Sequence, residues 1–324
     1  MGLTDPFGRR VDYLRLSVTD RCNFRCRYCM PAAGVPKLTH NDILRFGDLY
    51  RIAREAVTLG IEKVRVTGGE PLVRKGTVEF LARLSQIDGL KELTLTTNGS
   101  LLCDAAAQLR GAGVTRLNVS LDSLRPQTFA TITRGGDLST VLDGIRAAEE
   151  VGLGPIKINT VVMRNINDDE VFDFAELTFR KPYSVRFIEF MRTGPQTDWR
   201  DRFVSGHEIL TLLAKRYTLT ALPSPPSVAA KTFSLKGALG TVGVIAPISD
   251  HFCGECNRIR VTATGIAKPC LFAAGSTDLK PYLLAGDAEL RSALRALVSE
   301  KPLQHPPLDR IVAINSFAMA QIGG

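Results

Sequence analysis

Between residues 12 and 190 the chain alternates six times between a short strand-like run and a helical stretch, the pattern of a parallel sheet wrapped by helices. The runs are Tyr13 to Val18, Ile61 to Thr67, Glu92 to Thr97, Arg116 to Ser120, Ile156 to Val162 and Ser184 to Glu189. Helices are expected at 39–58, opened by Thr39 with Asp42 in a capping box, and near 77–86, 104–111, 139–151 and 168–180. An open parallel sheet is covered on both faces, so its strands should be almost continuously apolar. These strands alternate instead. One parity carries Leu14, Leu16, Val64, Val66, Leu95 and Val119, while the other carries Arg15, Lys63, Arg65, Thr96, Ser120, Lys157, Asn159 and Arg186. If helices cover the apolar parity, the polar one faces a lumen, which a curved, partly closed barrel provides. The alternative, an antiparallel sheet with one wet face, suits the intervening helices poorly. The expected fold is therefore α/β: a partial (β/α)6 barrel over 1–195 and a smaller C-terminal α+β domain over 196–324. Residues 191–204 read as a linker, a helix follows near 205–216, and 231–235 with 241–245 read as a hairpin.

Gathering Arg15, Lys63, Arg65, Lys157 and Arg186 around one lumen without acidic partners costs several kcal/mol per desolvated ion. A ligand with several negative charges offsets that cost, and a nucleoside triphosphate is the obvious candidate. The formal net charge of +8 fits an internal polyanion site better than a nucleic-acid surface, because no dense basic run or basic tail is present. No apolar run reaches signal-peptide or membrane-span length. The seven cysteines are odd in number and clustered, which is not a disulfide framework, so a reducing cytoplasm is expected.

Cys22, Cys26 and Cys29 fall within eight residues and are followed by Pro31 and Gly34, the makings of a loop folded around a soft metal. Structural zinc takes four protein ligands as a rule, and only His40, eleven residues beyond Cys29, offers a zinc alternative. A four-iron four-sulfur cluster takes thiolates, and three of them leave one iron open to a non-protein ligand. Cys253, Cys256 and Cys270 form a second trio, with a Cys3His zinc site through His251 as its alternative. Two incomplete trios point to two clusters of one kind. Cys103, at a helix start, reads as a small core residue. At the end of the second strand, Gly68 and Gly69 let backbone approach a ligand, and Glu70 offers an acceptor for an amine.

Cys22-x-x-x-Cys26-x-x-Cys29 with Tyr28, followed by Gly68-Gly69-Glu70-Pro71, resembles the radical S-adenosylmethionine superfamily. Cys253-x-x-Cys256-Asn-Arg-Ile-Arg260, Cys270-Leu271, Arg186-Phe-Ile-Glu-Phe-Met191 and the terminal Ile322-Gly323-Gly324 narrow the resemblance, over almost the whole chain, to the GTP 3',8-cyclase family of molybdenum cofactor biosynthesis. The resemblance implies that the first cluster binds S-adenosylmethionine at its open iron and cleaves it to a deoxyadenosyl radical. Tyr28, Gly68, Gly69, Glu70, Ser120 and Met191 then serve that cofactor. It implies that the second cluster takes the guanine of GTP, held also by Arg15, Arg65, Thr96, Lys157, Arg258, Ile259 and Arg260, with Lys63 and Arg186 near the phosphates. The radical takes the ribose 3' hydrogen and the sugar carbon attacks C8, giving (8S)-3',8-cyclo-7,8-dihydroguanosine 5'-triphosphate. Arg15, Arg258, Arg260, Gly323 and Gly324 are the residues expected to act in catalysis, the two glycines by reaching into the active site; residues 315–319 lack the Arg that some relatives carry. Expected partners are GTP, an electron donor and a downstream cyclic pyranopterin monophosphate synthase, with no nucleic acid and no membrane; a homodimer is left open. The nearest alternative is another radical enzyme with an auxiliary cluster, acting on peptide or RNA. A zinc protein binding nucleic acid is the alternative from a different class.

Overall fold

Six parallel strands form the centre of the molecule: β1 (Tyr13–Ser17), β2 (Lys63–Thr67), β3 (Glu92–Thr97), β4 (Arg116–Ser120), β5 (Ile156–Val162) and β6 (Ser184–Glu189), paired in that order. The structure is a computed structural model that describes residues 2–36, 38–39, 41–191, 198–223, 227–306 and 319–322. Each pairing is parallel, so the alternating pattern belongs to a barrel wall and not to an antiparallel sheet. The C-terminal third adds a strand to each edge of this wall. β10 (Arg258–Val261) pairs parallel with β1, and β9 (Thr241–Ile245) pairs parallel with β6. Antiparallel strands continue outward from both, β11 (Ile266–Lys268) and β12 (Thr277–Asp278) beyond β10, β8 (Lys231–Leu235) and β7 (Leu219–Ala221) beyond β9. The expected hairpin is thus β8 with β9, and the C-terminal α+β part shares one sheet with the barrel.

Helices α1 (Phe46–Thr58), α2 (Thr77–Leu84), α3 (Leu102–Gly111), α4 (Pro126–Thr133), α5 (Leu138–Glu150) and α6 (Val171–Arg180) connect the parallel strands. In α1 the buried Leu49, Ile52, Ala53, Ala56 and Val57 recur at helical spacing and make one stripe for the sheet. Its start differs from expectation. Thr39 donates from its N–H and its hydroxyl to the Asp42 carboxylate at 2.8 and 2.7 Å, but this closes a turn, and the Leu44 N–H is drawn off to the Ala263 carbonyl at 2.8 Å. The helix therefore begins only at Phe46. Two helices, α4 and α5, occupy the connection expected to hold one. Within the expected linker, α7 (Trp199–Arg202) buries Trp199 beside Ile132, Met163 and Phe190. The helix after it, α8 (Gly206–Ala214), opens with a complete capping box of Ser205 and Glu208.

Leu14, Leu16, Val64, Val66, Leu95, Leu117 and Val119 are wholly buried in one core. Each contributes about 1.5–3 kcal/mol by burial, and a one-residue register slip would exchange them for Arg15, Arg65 and Thr96. The apolar parity therefore fixes which residues face the lumen. Among the described residues no helix is long and apolar enough to cross a membrane, and all seven cysteines are free thiols.

Candidate active site

The loop after β1 carries the first trio. Phe24 is its anchor, buried edge-on against Phe129 at 5.9 Å, and Arg25 and Arg27 donate their N–H groups to the carbonyls of Thr133 and Ile132 at 3.0 and 2.9 Å. Arg134, in left-handed backbone at φ 57°, reaches back to the carbonyls of Arg25 and Met30 at 2.8 and 3.0 Å. The end of α4 thus cradles the loop. A turn in which Cys29 and Met30 both donate to the Cys26 carbonyl brings the thiols together. Burial pushes Cys22 up to about 11 and Cys29 up to about 12, and Cys26 is raised by burial and then by Asp122. Thiols held this way favour the charge compensation that a metal supplies.

The second trio lies at the other end of the strands. Cys253 and Cys256 precede β10, which runs parallel to β1, and Cys270 follows β11, which returns antiparallel. Two buried cations brace this region. Lys301 donates to the Cys256 sulfur at 3.4 Å and to the carbonyls of Arg258 and Pro269, both at 2.9 Å. Arg9 is held by Asp5 at 2.5 Å and donates to the carbonyls of Cys253, Pro302 and Leu303 at 2.5, 2.6 and 2.9 Å. Burial raises the Cys256 thiol, but Lys301 and Arg258 outweigh it and hold that thiol below its usual range.

One cavity of about 800 Å³ is lined by all six of these cysteines. Between its ends, the lumen face of the sheet presents the expected cations in rungs. Arg15 stands between Arg65 and Arg260, and Tyr13 between Lys63 and Arg258. Lys157, Arg186, Thr96, Ser120, Tyr28 and Met191 line the same space. The crowding is electrostatically expensive: burial, then Arg186, Arg116, Lys63 and Arg65, pushes Lys157 down to about 6, and Arg186 and Arg260 each come down to about 10. Glu92 relieves part of it, pairing with Lys63 at 2.9 Å and Arg116 at 3.2 Å, so the lumen is not free of acidic partners.

Several expectations need correction. Glu70 does not face the cavity: it is fully buried, and its carboxylate accepts from Leu72 N–H, Thr97 hydroxyl and Asn98 N–H at 3.1, 2.9 and 2.6 Å. Burial raises it to about 7 despite those donors. It positions the loop around Asn98, whose side-chain amide lies 3.8 Å from the Cys22 sulfur. Gly68 and Gly69 line the cavity, yet the close approach that demands them is to their own chain. A Cβ on Gly69 would stand 2.4 Å from the Arg21 carbonyl oxygen, and one on Gly68 would stand 2.8 Å from that of Thr19. The side chain of Ile259 is wholly buried in the core, which leaves only backbone for a ligand. Cys103 is exposed on α3 rather than packed. His40, Gly323 and Gly324 lie outside the described residues; the turn just before the glycines, Met319–Ile322, places Met319 and Ala320 on the cavity, and the Ala320 N–H donates to Cys29.

Other contributors went unread. Tyr13 and Arg116 share the inward parity of Arg15 and Asn118, so the alternation already pointed at them. Asp122, which accepts from the Tyr28 hydroxyl at 2.8 Å and the Val161 N–H at 2.9 Å, follows β4 directly. Arg9, Lys301 and Arg134 carry no local signal.

The residues fit the groups the motifs imply. Thiols suit iron–sulfur clusters, and both trios of thiols open onto the one cavity. Buried polar atoms without a hydrogen-bond partner among the described residues, such as the Tyr13 hydroxyl, Thr96 Oγ1, Asn159 Oδ1, Arg186 Nε and Arg258 Nε, belong to side chains that line the cavity. Such atoms are rarely left unmatched; an occupant with anionic oxygens matches the Tyr13, Thr96, Arg186 and Arg258 donors, and N–H or O–H groups on the same occupant match the Asn159 acceptor.

Comparison with known proteins supports this architecture. Residues 16–178 match the Radical SAM superfamily model and residues 183–307 match Molybdenum Cofactor Synthesis C. The chain is 55% identical to a GTP 3',8-cyclase of Geobacter sulfurreducens, with 100% of both chains covered. It is 44% identical to one of Alkaliphilus oremlandii, covering 99% of this chain and 100% of that one. Among solved structures it is similar in fold to Streptococcus suis SuiB, with TM-score 0.61 and 13% identity over 90% of this chain and 66% of that one.

Proposed function

The chain belongs to the GTP 3',8-cyclase family of the radical S-adenosylmethionine superfamily, and from that premise we propose how its residues divide the work. It is a radical enzyme that converts GTP to (8S)-3',8-cyclo-7,8-dihydroguanosine 5'-triphosphate in the first step of molybdenum cofactor biosynthesis.

In our reading Cys22, Cys26 and Cys29 hold one four-iron cluster and Cys253, Cys256 and Cys270 hold another. Together with S-adenosylmethionine, the first supplies the radical chemistry. Around the cofactor, Tyr28 is fixed by Asp122, while Gly68, Gly69, Ser120 and Met191 shape its seat. Arg15, Lys63, Arg65, Lys157 and Arg186 take the triphosphate, and Arg258 and Arg260, on the strand beside β1, direct the nucleoside toward the second trio. Thr96 and the backbone at Ile259 complete the GTP contacts. The apolar core behind the sheet and the turn at Met319–Ile322 keep water from the reacting sugar. Arg15, Arg258, Arg260 and the terminal Gly323 and Gly324 act at the substrate itself. We divide the chain near residue 195, the N-terminal part carrying radical generation and the C-terminal part carrying substrate anchoring. An electron donor, a pterin-forming synthase acting on the product and a cytoplasmic setting complete the proposal.

The observation that carries this reading is that two trios far apart in sequence line one cationic cavity. Anaerobic iron analysis should find about eight iron atoms per chain for two four-iron clusters. Under dithionite, deoxyadenosine should form faster with GTP than without it. No acceleration by GTP would overturn the assignment.

A further inference from the structure

Tyr13 is the one aromatic residue on the inward parity of β1, and its surroundings are unusual. It is 6% exposed and lines the cavity. Its register partners are Arg258 on β10 and Lys63 on β2. Three cations lie over its ring, Lys63 at 4.9 Å, Arg65 at 5.5 Å and Arg258 at 5.8 Å from the centroid. Its hydroxyl is buried and has no hydrogen-bond partner among the described residues.

These facts divide the side chain into two working parts. The π-face attracts cations that would otherwise repel one another, at about 0.5–2 kcal/mol per contact, and so spaces them before any ligand arrives. The hydroxyl remains. A buried hydroxyl almost always finds a partner, and one on a ring faced by Lys63, Arg65 and Arg258 lies in the space to which those cations attract an anion. Burial alone would raise the phenol, yet Arg65, Arg15, Lys63 and Arg258 together hold it below its ordinary value, which makes it a stronger donor.

We propose that Tyr13 is a further substrate-binding residue, whose ring spaces Lys63, Arg65 and Arg258 and whose hydroxyl donates a hydrogen bond to a phosphoryl oxygen of the bound nucleoside triphosphate. The inference rests on the reading of this cavity as the GTP site. Its discriminating property is that the phosphate chain, not the base, senses the hydroxyl.

The test measures GTP and guanosine binding to the reconstituted enzyme by equilibrium dialysis, together with KM and kcat. A hydrogen bond to a charged group corresponds to roughly 10- to 100-fold in affinity. Tyr13→Phe is expected to weaken GTP by at least about tenfold, raise KM with kcat nearly kept, and leave guanosine binding unchanged. Tyr13→Leu, which also removes the ring, is expected to weaken GTP further. Equal losses for GTP and guanosine in Tyr13→Phe would mean a packing role and overturn the proposal, as would GTP binding at the wild-type level. Arg65→Ala and Arg258→Ala in the same assay separate the two ideas. If both bind GTP normally, the cavity reading itself fails. If both lose GTP while Tyr13→Phe does not, only the role of Tyr13 fails.

Discussion

Around Cys22, Cys26 and Cys29, burial comes first, the charged neighbours are Asp122 and Glu70, and all three thiols are pushed up. Around Cys256, burial acts in the same direction, but Lys301 and Arg258 reverse it. Arg9 adds a further cation beside Cys253. The first trio thus has carboxylates for charged neighbours, whereas in the second Lys301, Arg258 and Arg9 stand beside Cys256 and Cys253, although burial still leaves Cys253 raised. Negative surroundings oppose the addition of an electron to a bound centre and positive ones favour it. In the proposed assignment, the first trio is therefore built for a strongly reducing centre, and the second for one that tolerates an anionic substrate beside it.

The contrast breaks most visibly if one ligand is removed from each trio. Cys26→Ser is expected to abolish S-adenosylmethionine cleavage, whereas Cys270→Ser should abolish cyclisation but keep basal, GTP-independent cleavage; anaerobic assay of deoxyadenosine with and without GTP reads both. Identical behaviour of the two variants would erase the distinction. A smaller effect follows from Lys301→Met, which removes the ammonium held 3.4 Å from the Cys256 sulfur. Support of this kind is typically worth 10- to 100-fold in metal affinity, so about half of the iron should be lost while the first centre's paramagnetic signal stays intact. Full iron retention with unchanged spectra would show that the second trio does not depend on its cation.

Lys157 sharpens the comparison through pH. In the free protein it sits at about 6, lowered by burial and then by Arg186, Arg116, Lys63 and Arg65. Triphosphate favours its charged form, so binding takes up a proton above pH 6, and affinity should fall by up to ~10-fold per pH unit as pH rises through that window. Calorimetry in buffers of different ionisation enthalpy measures the uptake, and Lys157→Met should remove it. A proton uptake that survives the substitution would place the effect elsewhere. The same shift has a stability sign. Between about 6 and the ordinary lysine value the unfolded chain holds the extra proton, so this group's contribution favours folding as pH rises. Least of all should change in Cys103→Ser. That thiol is exposed on α3 and is not on the cavity, and iron content and turnover are expected to match the wild type; a loss of iron would reopen the ligand count.

Much of this was legible because period-2 alternation is dictated by the pleat. Leu14, Leu16 and Val64 had to face helices, so Arg15 and Arg65 had to face the lumen, and β1 to β6 start and stop within two residues of expectation. The cysteine loops were legible by composition. What sequence reading missed was decided by tertiary partners. Nothing near Thr39 announces that Ala263 will claim the Leu44 N–H and delay α1. Glu70 looked like a ligand's acceptor because its competitors, Thr97 and Asn98, arrive from the next strand. Lys301 and Arg9 brace the second trio from positions where a lone Lys or Arg reads as solvated surface.

The seating of β10 against β1 also sets a schedule. β1 gains β2 soon after it is made, but its other edge waits for Arg258–Val261, roughly 240 residues later. At ~5–20 residues per second that is on the order of 12–50 s of synthesis, during which the first cysteine loop sits beside an open strand margin, the kind of margin that recruits other chains. The interval ends when β10 seats against β1 and covers that margin. Separation along the polypeptide acts here as a timer, setting how long the nascent chain is vulnerable.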